Sequence, residues 1–251
     1  MEEARRAGIR RICVAAFEGE TGGAVASGAD SVEWMRVGQL GRLLESAKRS
    51  GARHAMMAGQ IAPGNLFDLR PDLKALVLLA RLKRRNAETL FGELAAQLAA
   101  CGLETLPATT FLENHLATPG HMGGPKPKAR QLDDIAFAFE IAKATSRLDI
   151  GQSVVVKNGT VLAVEAFEGT DDCIKRGGAL GRGRAVLAKV TKPGQDMRFD
   201  VPVVGGRTLA TAGEAGISVI AVETGLTLLL DKPALCAAAA RAGITLYGFP
   251  A

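Results

Sequence analysis

The chain alternates short apolar runs with segments of helical period, and this alternation constrains the fold more than any other feature. Residues 11–17 (RICVAAF) and 53–58 (RHAMMA) are predicted strands, and Val37–Ser50 between them carries apolar side chains at helical spacing before Gly51. Strand–helix–strand order favours a parallel sheet, because the helix returns the chain to the start of the next strand. The first half is therefore predicted to be a Rossmann-like α/β domain.

The same patterns continue through the rest of the first half. They predict three further helices and one strand: helices over 71–84, 86–101 and 131–148, and a strand over 103–106. Pro71 suits a first helical turn, and Asp72 suits the positive end of the helix dipole. Residues 118–130 (TPGHMGGPKPKAR) are rich in Pro and Gly, so a loop is predicted there.

The pattern of predicted elements changes near residue 150, where strand-forming segments become more frequent. Two β-rich runs, Ser153–Lys157 and Val161–Ala166, flank Asn158-Gly159, a strong hairpin signal. Short strands then alternate with helices: strands over 185–190, 217–222, 226–230 and 244–248, and helices over 171–177, 207–215 and 233–242. We therefore predict an N-terminal α/β domain over 1–150 and a catalytic, mixed-sheet α/β domain over 151–251.

The cysteines and histidines indicate the redox compartment of the protein and the kind of metal that it could bind. The four cysteines lie far apart with no C-x-x-C pair, which is typical of a reducing cytosol: Cys13, Cys101, Cys173 and Cys236. The three histidines lack helix-ligand spacing, so a zinc site is not expected. Any metal would be held by carboxylates, which favours Mg²⁺ or Mn²⁺.

Charge and hydropathy limit the partners. Lys and Arg number 31 against 26 Asp and Glu, a formal charge of +5, which suits phosphates or anionic lipid surfaces. One Trp and one Tyr offer no stacking platform, so nucleic acid is not an expected partner. We find no apolar stretch of membrane-spanning length and no signal-peptide pattern at the N-terminus.

Two charged runs in the second half are the best candidates for chemistry. The first, Glu165–Asp172, follows a predicted strand and contains Glu168, Gly169, Thr170 and Asp171. The carboxyl end of a strand is where an α/β protein binds its ligand. The alternative is that these residues only cap the next helix in a solvated acidic turn.

The second run, Lys189–Pro202, mixes cations with carboxylates around a Pro-Gly break. Its candidate site residues are Lys192, Gln195, Asp196, Arg198 and Asp200. Carboxylates can hold Mg²⁺ and Lys or Arg can hold phosphate oxygens, which together are what phosphoryl transfer needs. A surface loop of paired ions is the alternative.

In the first half, Gly59-Gln60 follows a strand in a turn rich in backbone groups. It matches neither the P-loop nor the dinucleotide-binding pattern, so an NAD-type oxidoreductase is not supported.

Several motifs in order resemble the LpxI family, UDP-2,3-diacylglucosamine pyrophosphatases unrelated to the metallophosphoesterase type. In the second half the similar segments are QSVVVKNG (152–159), VLAVEAFEGTD (161–171), KPGQDMRFDVP (192–202), VIAVETGLT (219–227) and Leu230-Asp231. In the first half they include Met57–Ile61, Asp68–Asp72 and Asp149–Gln152. The resemblance covers nearly the whole chain, and several motifs at matching spacing are more specific than any one.

The resemblance implies a cytosolic enzyme of lipid A biosynthesis. Such an enzyme hydrolyses UDP-2,3-diacylglucosamine to UMP and 2,3-diacylglucosamine 1-phosphate with a divalent cation, and water attacks the phosphorus attached to the sugar. It also implies a homodimer of chains with two α/β domains and the substrate between them, in contact with the inner membrane surface.

Two departures from the family pattern affect the expectation. Members begin with a strand and a turn of the form G-x-G-x-L-P before the helix that ends here near Gly8, and this sequence starts after it. The explanation is either a misassigned start or a missing part of the nucleotide-side cleft. In addition, an Asp-Asp pair of the family is replaced by Asn86-Ala87-Glu88. The alternative function is a catalytically impaired homologue that binds nucleotide sugar or lipid.

The mechanistic hypothesis places the chemistry in the second charged run. Asp196 and Asp200, with Asp171 or Glu168, would bind Mg²⁺ and position water, while Lys192 and Arg198 would neutralise the phosphates. Gln195, Gly169, Thr170, Gly59 and Gln60 complete the expected substrate-binding set. The alternative role for Asp200 is capping of a turn before Pro202.

Overall fold

The computed structural model describes most of the chain: residues 1–59, 71–82 and 87–250. They form two compact units: Met1–Phe111 with Asp196–Asp200, and Leu112–Gln195 with Val201–Ala251. The units therefore divide after Phe111, earlier than the boundary expected near residue 150. The physical reason is the helix over 129–147, whose apolar face is buried on the sheet of the second unit.

The first unit contains small parallel sheets and their covering helices. Its elements are α1 (Glu2–Arg6), β1 (Cys13–Phe17), β2 (Ser31–Met35), α2 (Leu40–Ser50), β3 (His54–Met56), α3 (Leu73–Arg81), α4 (Ala87–Ala100) and β4 (Glu104–Leu106). Strand β1 pairs with β2 and β3 with β4. Both pairs are parallel, as expected of the first half, but β1 and β3 lie in separate two-stranded sheets. Helix α2 ends at Gly51, whose φ of 65° confirms the predicted helix stop. Strand β2 was not predicted.

Asp72 joins the beginnings of two helices in the first unit. Its Oδ1 accepts a hydrogen bond of 2.8 Å from the Ala75 N–H in the first turn of α3. Its Oδ2 accepts one of 2.6 Å from the Gly41 N–H at the start of α2. One carboxylate thus satisfies N–H groups of two helices that have no partner within their own helix.

The second unit is built on a six-stranded mixed sheet. Its elements are β5 (Gly120–Gly123), α5 (Ala129–Arg147), β6 (Ser153–Lys157), β7 (Thr160–Val164), α6 (Thr170–Gly181), β8 (Ala185–Lys189), β9 (Val203–Val204), α7 (Gly206–Glu214), β10 (Ile217–Glu223), β11 (Leu228–Leu229), α8 (Lys232–Ala242) and β12 (Thr245–Phe249). The strand order is β5-β12-β10-β8-β6-β7. The three neighbouring strands β12, β10 and β8 are parallel. Strands β5 and β6 run against them, and β7, which is antiparallel to β6, runs in their direction.

Both faces of this sheet are buried. Side chains such as Val155, Leu187 and Ile220 face the core beneath α6, α7 and α8. Their sequence neighbours, including Val154 and Val186, face the core beneath α5. Burial on both sides explains why the central strands are continuous apolar runs rather than alternating ones.

Two turn-rich stretches behave differently. At the β6–β7 hairpin, Asn158 and Gly159 have φ of 53° and 73°, which confirms the turn predicted there. The loop predicted over 118–130 is partly wrong, because β5 lies within it and pairs with β12. The glycines in this segment break the apolar alternation, so the sequence pattern did not indicate a strand. They also allow the chain to pass close to neighbouring backbone, since a Cβ at Gly124 would lie 1.9 Å from the Ile244 carbonyl oxygen.

Replacement of Asp72 tests the junction of α2 and α3. We expect Asp72→Ala to lower the free energy of unfolding by about 1 kcal/mol or more, because it removes a helix cap. Asp72→Asn keeps an acceptor for Ala75 but loses the second acceptor for Gly41, so its loss should be intermediate. Urea unfolding followed by circular dichroism measures both, and an unchanged midpoint for the alanine variant would contradict the assignment.

Candidate active site

One edge of the second unit's sheet collects most of its polar side chains. The parallel strands β8 and β10 end there at Lys189 and Glu223. Strand β6 runs the opposite way and begins at the same edge, because Ser153 pairs with Lys189. Ligands of open α/β sheets bind beyond the carboxyl ends of the strands. We therefore assign the candidate active site to this carboxyl edge.

A network of hydroxyl, carboxylate and ammonium groups lies at the edge under α6. The Thr170 hydroxyl donates to Glu165 Oε1 at 2.9 Å, and Lys189 Nζ lies 3.3 Å from the same hydroxyl oxygen. Ser153 Oγ is 3.4 Å from it. Glu165 Oε2 is buried and has no hydrogen-bond partner in the part of the chain that the structure describes. One carboxylate oxygen of this buried network thus has no donor among the described residues.

The two acidic residues flanking Thr170 are paired with arginines. Glu168 forms an ion pair with Arg176 and also accepts a hydrogen bond of 3.0 Å from the Ala166 N–H. The Arg176 hydrogen bond lowers the pKa of the Glu168 carboxyl. Asp171 Oδ2 lies 3.1 Å from Arg207 Nε. Both carboxylates are therefore charge-balanced within the second unit.

Lys192 and Gln195 close a tight turn around Pro193-Gly194. The Lys192 N–H donates to Gln195 Oε1 at 2.6 Å, and the Gln195 N–H donates to the Lys192 carbonyl at 3.1 Å. The Lys192 ammonium forms an ion pair with Asp149. These contacts hold Lys192 and Gln195, two residues of the predicted substrate-binding set, in one turn of the second unit.

Asp196, Arg198 and Asp200 share the next turn, which belongs to the first unit. Arg198 binds the Asp196 carboxylate with two nitrogens, Nε at 2.9 Å from Oδ1 and Nη2 at 2.6 Å from Oδ2. This pairing lowers the pKa of the Asp196 carboxyl. The Asp200 N–H donates to the Asp196 carbonyl at 3.0 Å, so the two predicted catalytic aspartates lie on one turn.

Residues 196–200 are attached to the first unit by a hydrogen bond and a ring contact. The Ala108 N–H donates to the Met197 carbonyl at 2.8 Å. The Phe199 ring packs against Phe91 of α4, with ring centroids 5.6 Å apart. The chain segment of the second charged run is thus shared between the two units.

The predicted site residues accordingly form three groups. Glu168, Gly169, Thr170 and Asp171 lie at the start of α6, Lys192 and Gln195 in the second unit's turn, and Asp196, Arg198 and Asp200 in the first unit's turn. Gly59 follows β3 with a φ of 101°. Gln60 lies outside the described residues.

The predicted metal ligands Asp196 and Asp200 supply two carboxylates on one turn, which is not a complete set of protein ligands. Across residues 1–59, 71–82 and 87–250, no group of three or more His, Cys, Asp and Glu side chains is arranged to hold a metal ion. Mg²⁺ commonly uses only one or two carboxylates and completes its shell with water and substrate phosphates. Asp196 and Asp200 are carboxylates of the kind that such a site uses, and the metal roles of Asp196, Asp200 and Glu168 stay predictions.

Sequence reasoning did not select Glu165 and Lys189 as site residues, although both lie in the charged runs. Their signal was present, since Lys189 ends a buried strand and Glu165 directly follows one. Which carboxylate of the Glu165–Asp172 run turns inward depends on the register of β7 against β6, and this pairing places Glu165 on the α6 side.

Cys173 lies beside this network on α6. Burial first, and then the negative charge of Glu165, raise the pKa of its thiol to about 12. Because only the thiolate reacts with alkylating reagents, this thiol is protected twice, by its burial and by its pKa.

Alkylation therefore distinguishes the cysteines. In the folded protein at pH 8 we expect iodoacetamide to leave Cys173 unmodified while the partly exposed Cys13 and Cys101 react. Peptide mass spectrometry after timed labelling measures each site, with guanidinium-unfolded protein as the control in which all react. Labelling of Cys173 at the rate of Cys13 would show that it is not buried beside Glu165.

The fold and the site define a class: a two-unit α/β protein with an ion-paired, phosphate-compatible edge on its mixed sheet. Residues 1–115 match the LpxI N-terminal domain and residues 118–247 match the LpxI C-terminal domain. UDP-2,3-diacylglucosamine pyrophosphatase LpxI of Caulobacter vibrioides is 33% identical over 223 residues, which cover 84% of this chain and 80% of that protein. The chain belongs to the LpxI family, which confirms the resemblance seen in its motifs.

Proposed function

We propose that this protein hydrolyses the pyrophosphate bond of UDP-2,3-diacylglucosamine to UMP and 2,3-diacylglucosamine 1-phosphate. The observation that carries the proposal is the 33% identity to the Caulobacter pyrophosphatase over most of both chains. Both family domains match in order along the chain, so the likeness includes both halves that the reaction would use.

The cations of the second charged run supply what the reaction needs first. A pyrophosphate diester carries two negative charges, which repel an attacking water unless they are offset. Lys192 and Arg198 would bind the phosphate oxygens, Arg198 through its planar fork of donors. Both now hold carboxylates, Asp149 and Asp196, so the incoming phosphates would replace these partners.

The two aspartates of the same run would direct the water. If Arg198 turned to phosphate, the Asp196 carboxylate would lose this partner, and Asp196 together with Asp200 would hold Mg²⁺ and orient water. A bound Mg²⁺ supplies Lewis-acid stabilisation of the charge that develops on the phosphate oxygens. Before substrate binds, the hydrogen bond from Arg198 holds the pKa of Asp196 below its ordinary value, so its carboxylate is ionised at neutral pH.

Replacement of Asp196 tests this arrangement. We expect Asp196→Ala to keep the fold and to lower UMP release by about 100-fold or more, because the water loses its orienting carboxylate. Chromatography of the products measures the rate, with Mg²⁺ and with excess chelator. Asp133→Ala, an exposed aspartate on α5, is the matched control and should behave like wild type.

Several outcomes would count against the proposal. Wild-type rates in Asp196→Ala would remove Asp196 from the mechanism. Absence of UMP with the wild-type protein and Mg²⁺, together with lipid that co-purifies unhydrolysed, would favour the alternative of a binding homologue.

Heavy-oxygen water identifies the phosphorus that is attacked. Attack at the phosphorus attached to the sugar places the label in 2,3-diacylglucosamine 1-phosphate and leaves UMP unlabelled. We expect this result, and mass spectrometry of the two products measures it. Label in UMP would place the attack on the other phosphorus instead.

The membrane contact and the homodimer implied by the resemblance stay predictions. Among the described helices, none has the length and apolar character needed to cross a lipid bilayer.

A further inference from the structure

The base of the loop that carries Lys192 and Asp196 is held by a buried ion pair that the proposed reaction does not use. Glu223, the last residue of β10, is a carboxylate whose side chain is only 2% exposed. Lys143 of α5 binds its Oε1 at 2.5 Å. A charge this deeply buried is retained only where its partners satisfy it fully.

Thr191 occupies the remaining positions around this pair. Its N–H donates to Glu223 Oε2 at 2.7 Å and its hydroxyl donates to the same oxygen at 2.6 Å. Lys143 Nζ in turn donates to the Thr191 carbonyl at 3.2 Å and lies 3.1 Å from its Oγ1. The backbone N–H, the carbonyl and the hydroxyl of one residue are therefore all engaged.

Lys143, Thr191 and Glu223 form a clamp in which the Glu223 carboxylate is ionised at neutral pH. Burial alone would raise the pKa of Glu223, but hydrogen bonds from Lys143 and Thr191 outweigh it and hold the pKa below its ordinary value. The carboxylate thus stays ionised at neutral pH and keeps both of its partners.

The clamp lies directly before the residues proposed to act on substrate. Thr191 precedes Lys192, whose N–H and carbonyl close the turn with Gln195, and Asp196 follows that turn. We propose that Glu223 is a positioning residue that fixes the start of the 192–200 loop through Thr191. The inference deepens the proposed function and rests on it, since the position of the loop matters for catalysis only if the loop acts on substrate.

The choice of Thr191 variants separates positioning from mere stability. Thr191→Ser keeps the N–H and the hydroxyl, whereas Thr191→Val is nearly isosteric and loses only the hydroxyl bonds. Glu223→Gln is a third variant. It keeps the shape of the side chain but loses the negative charge that pairs with Lys143. None of these residues touches substrate in the proposed mechanism.

Two readouts are measured on each full-length variant well below its unfolding temperature. With UDP-2,3-diacylglucosamine and Mg²⁺, we expect kcat to fall about 10-fold or more in Thr191→Val and Glu223→Gln, because small misplacements of catalytic groups are costly. KM should change much less, and Thr191→Ser should restore kcat to near wild type. Hydrogen–deuterium exchange of a peptide spanning 192–195 should be about 5-fold faster in Thr191→Val than in Thr191→Ser.

The two readouts separate failure of this inference from failure of the proposed function. Unchanged exchange in the valine variant, or a lowered Tm with wild-type kcat, overturns the positioning role. If the wild-type protein releases no UMP, the proposed function fails and the catalytic part of the inference with it. The exchange data then decide only whether the clamp holds the loop.

Discussion

Burial of both faces of the second unit's sheet is the constraint on which the site depends. Strands β8, β10 and β12 have helices packed against either face, so their interiors accept only apolar side chains. Polar residues are left to the strand ends, and the parallel arrangement brings the carboxyl ends together. Lys189 and Glu223 reach one edge for this reason, and Ser153 reaches it because β6 runs the opposite way.

Charge pairing is the second feature shared by the candidate site residues of the two units. Glu168 and Asp171 each face an arginine, Asp196 is held by Arg198, and Lys192 is held by Asp149. Exposed pairs of this kind contribute little to stability, so they can exchange partners at small cost. The buried pair of Lys143 and Glu223 differs, because breaking it leaves a charge without compensation. Exchangeable pairs suit groups that would bind substrate, and the fixed pair suits a support beneath them.

Local chemistry made much of the fold predictable. Asn158-Gly159 indicates the β6–β7 hairpin, and Gly51 indicates the end of α2, because few residues accept their backbone angles. Strand β5 was missed because its glycines allow neighbouring backbone to approach closely, and the local sequence does not reveal that contact. The α5 helix was assigned to the wrong side of the domain boundary, since amphipathic spacing shows that a face is buried but not against which sheet.

The site was predictable in its residue types but not in its pairing. The sequence shows the charged runs, and family motifs select among them. Asp196 faces Arg198 because of the local turn between them, which the residue types alone do not reveal. Whether Glu165 or Glu168 turns inward depends on the pairing of β7 with β6. The assignment of 196–200 to the first unit depends on contacts with Phe91 and Ala108, which lie much earlier in the sequence.

Phosphorus NMR of the purified protein with UDP-2,3-diacylglucosamine and Mg²⁺ tests the central claim most directly, because it shows which bond is broken. The account predicts that the two coupled pyrophosphate signals disappear and that two uncoupled phosphomonoester signals replace them, one from UMP and one from the sugar phosphate. Pyrophosphate signals that persist unchanged, or that shift to those of free UDP through cleavage at the sugar carbon, would contradict it.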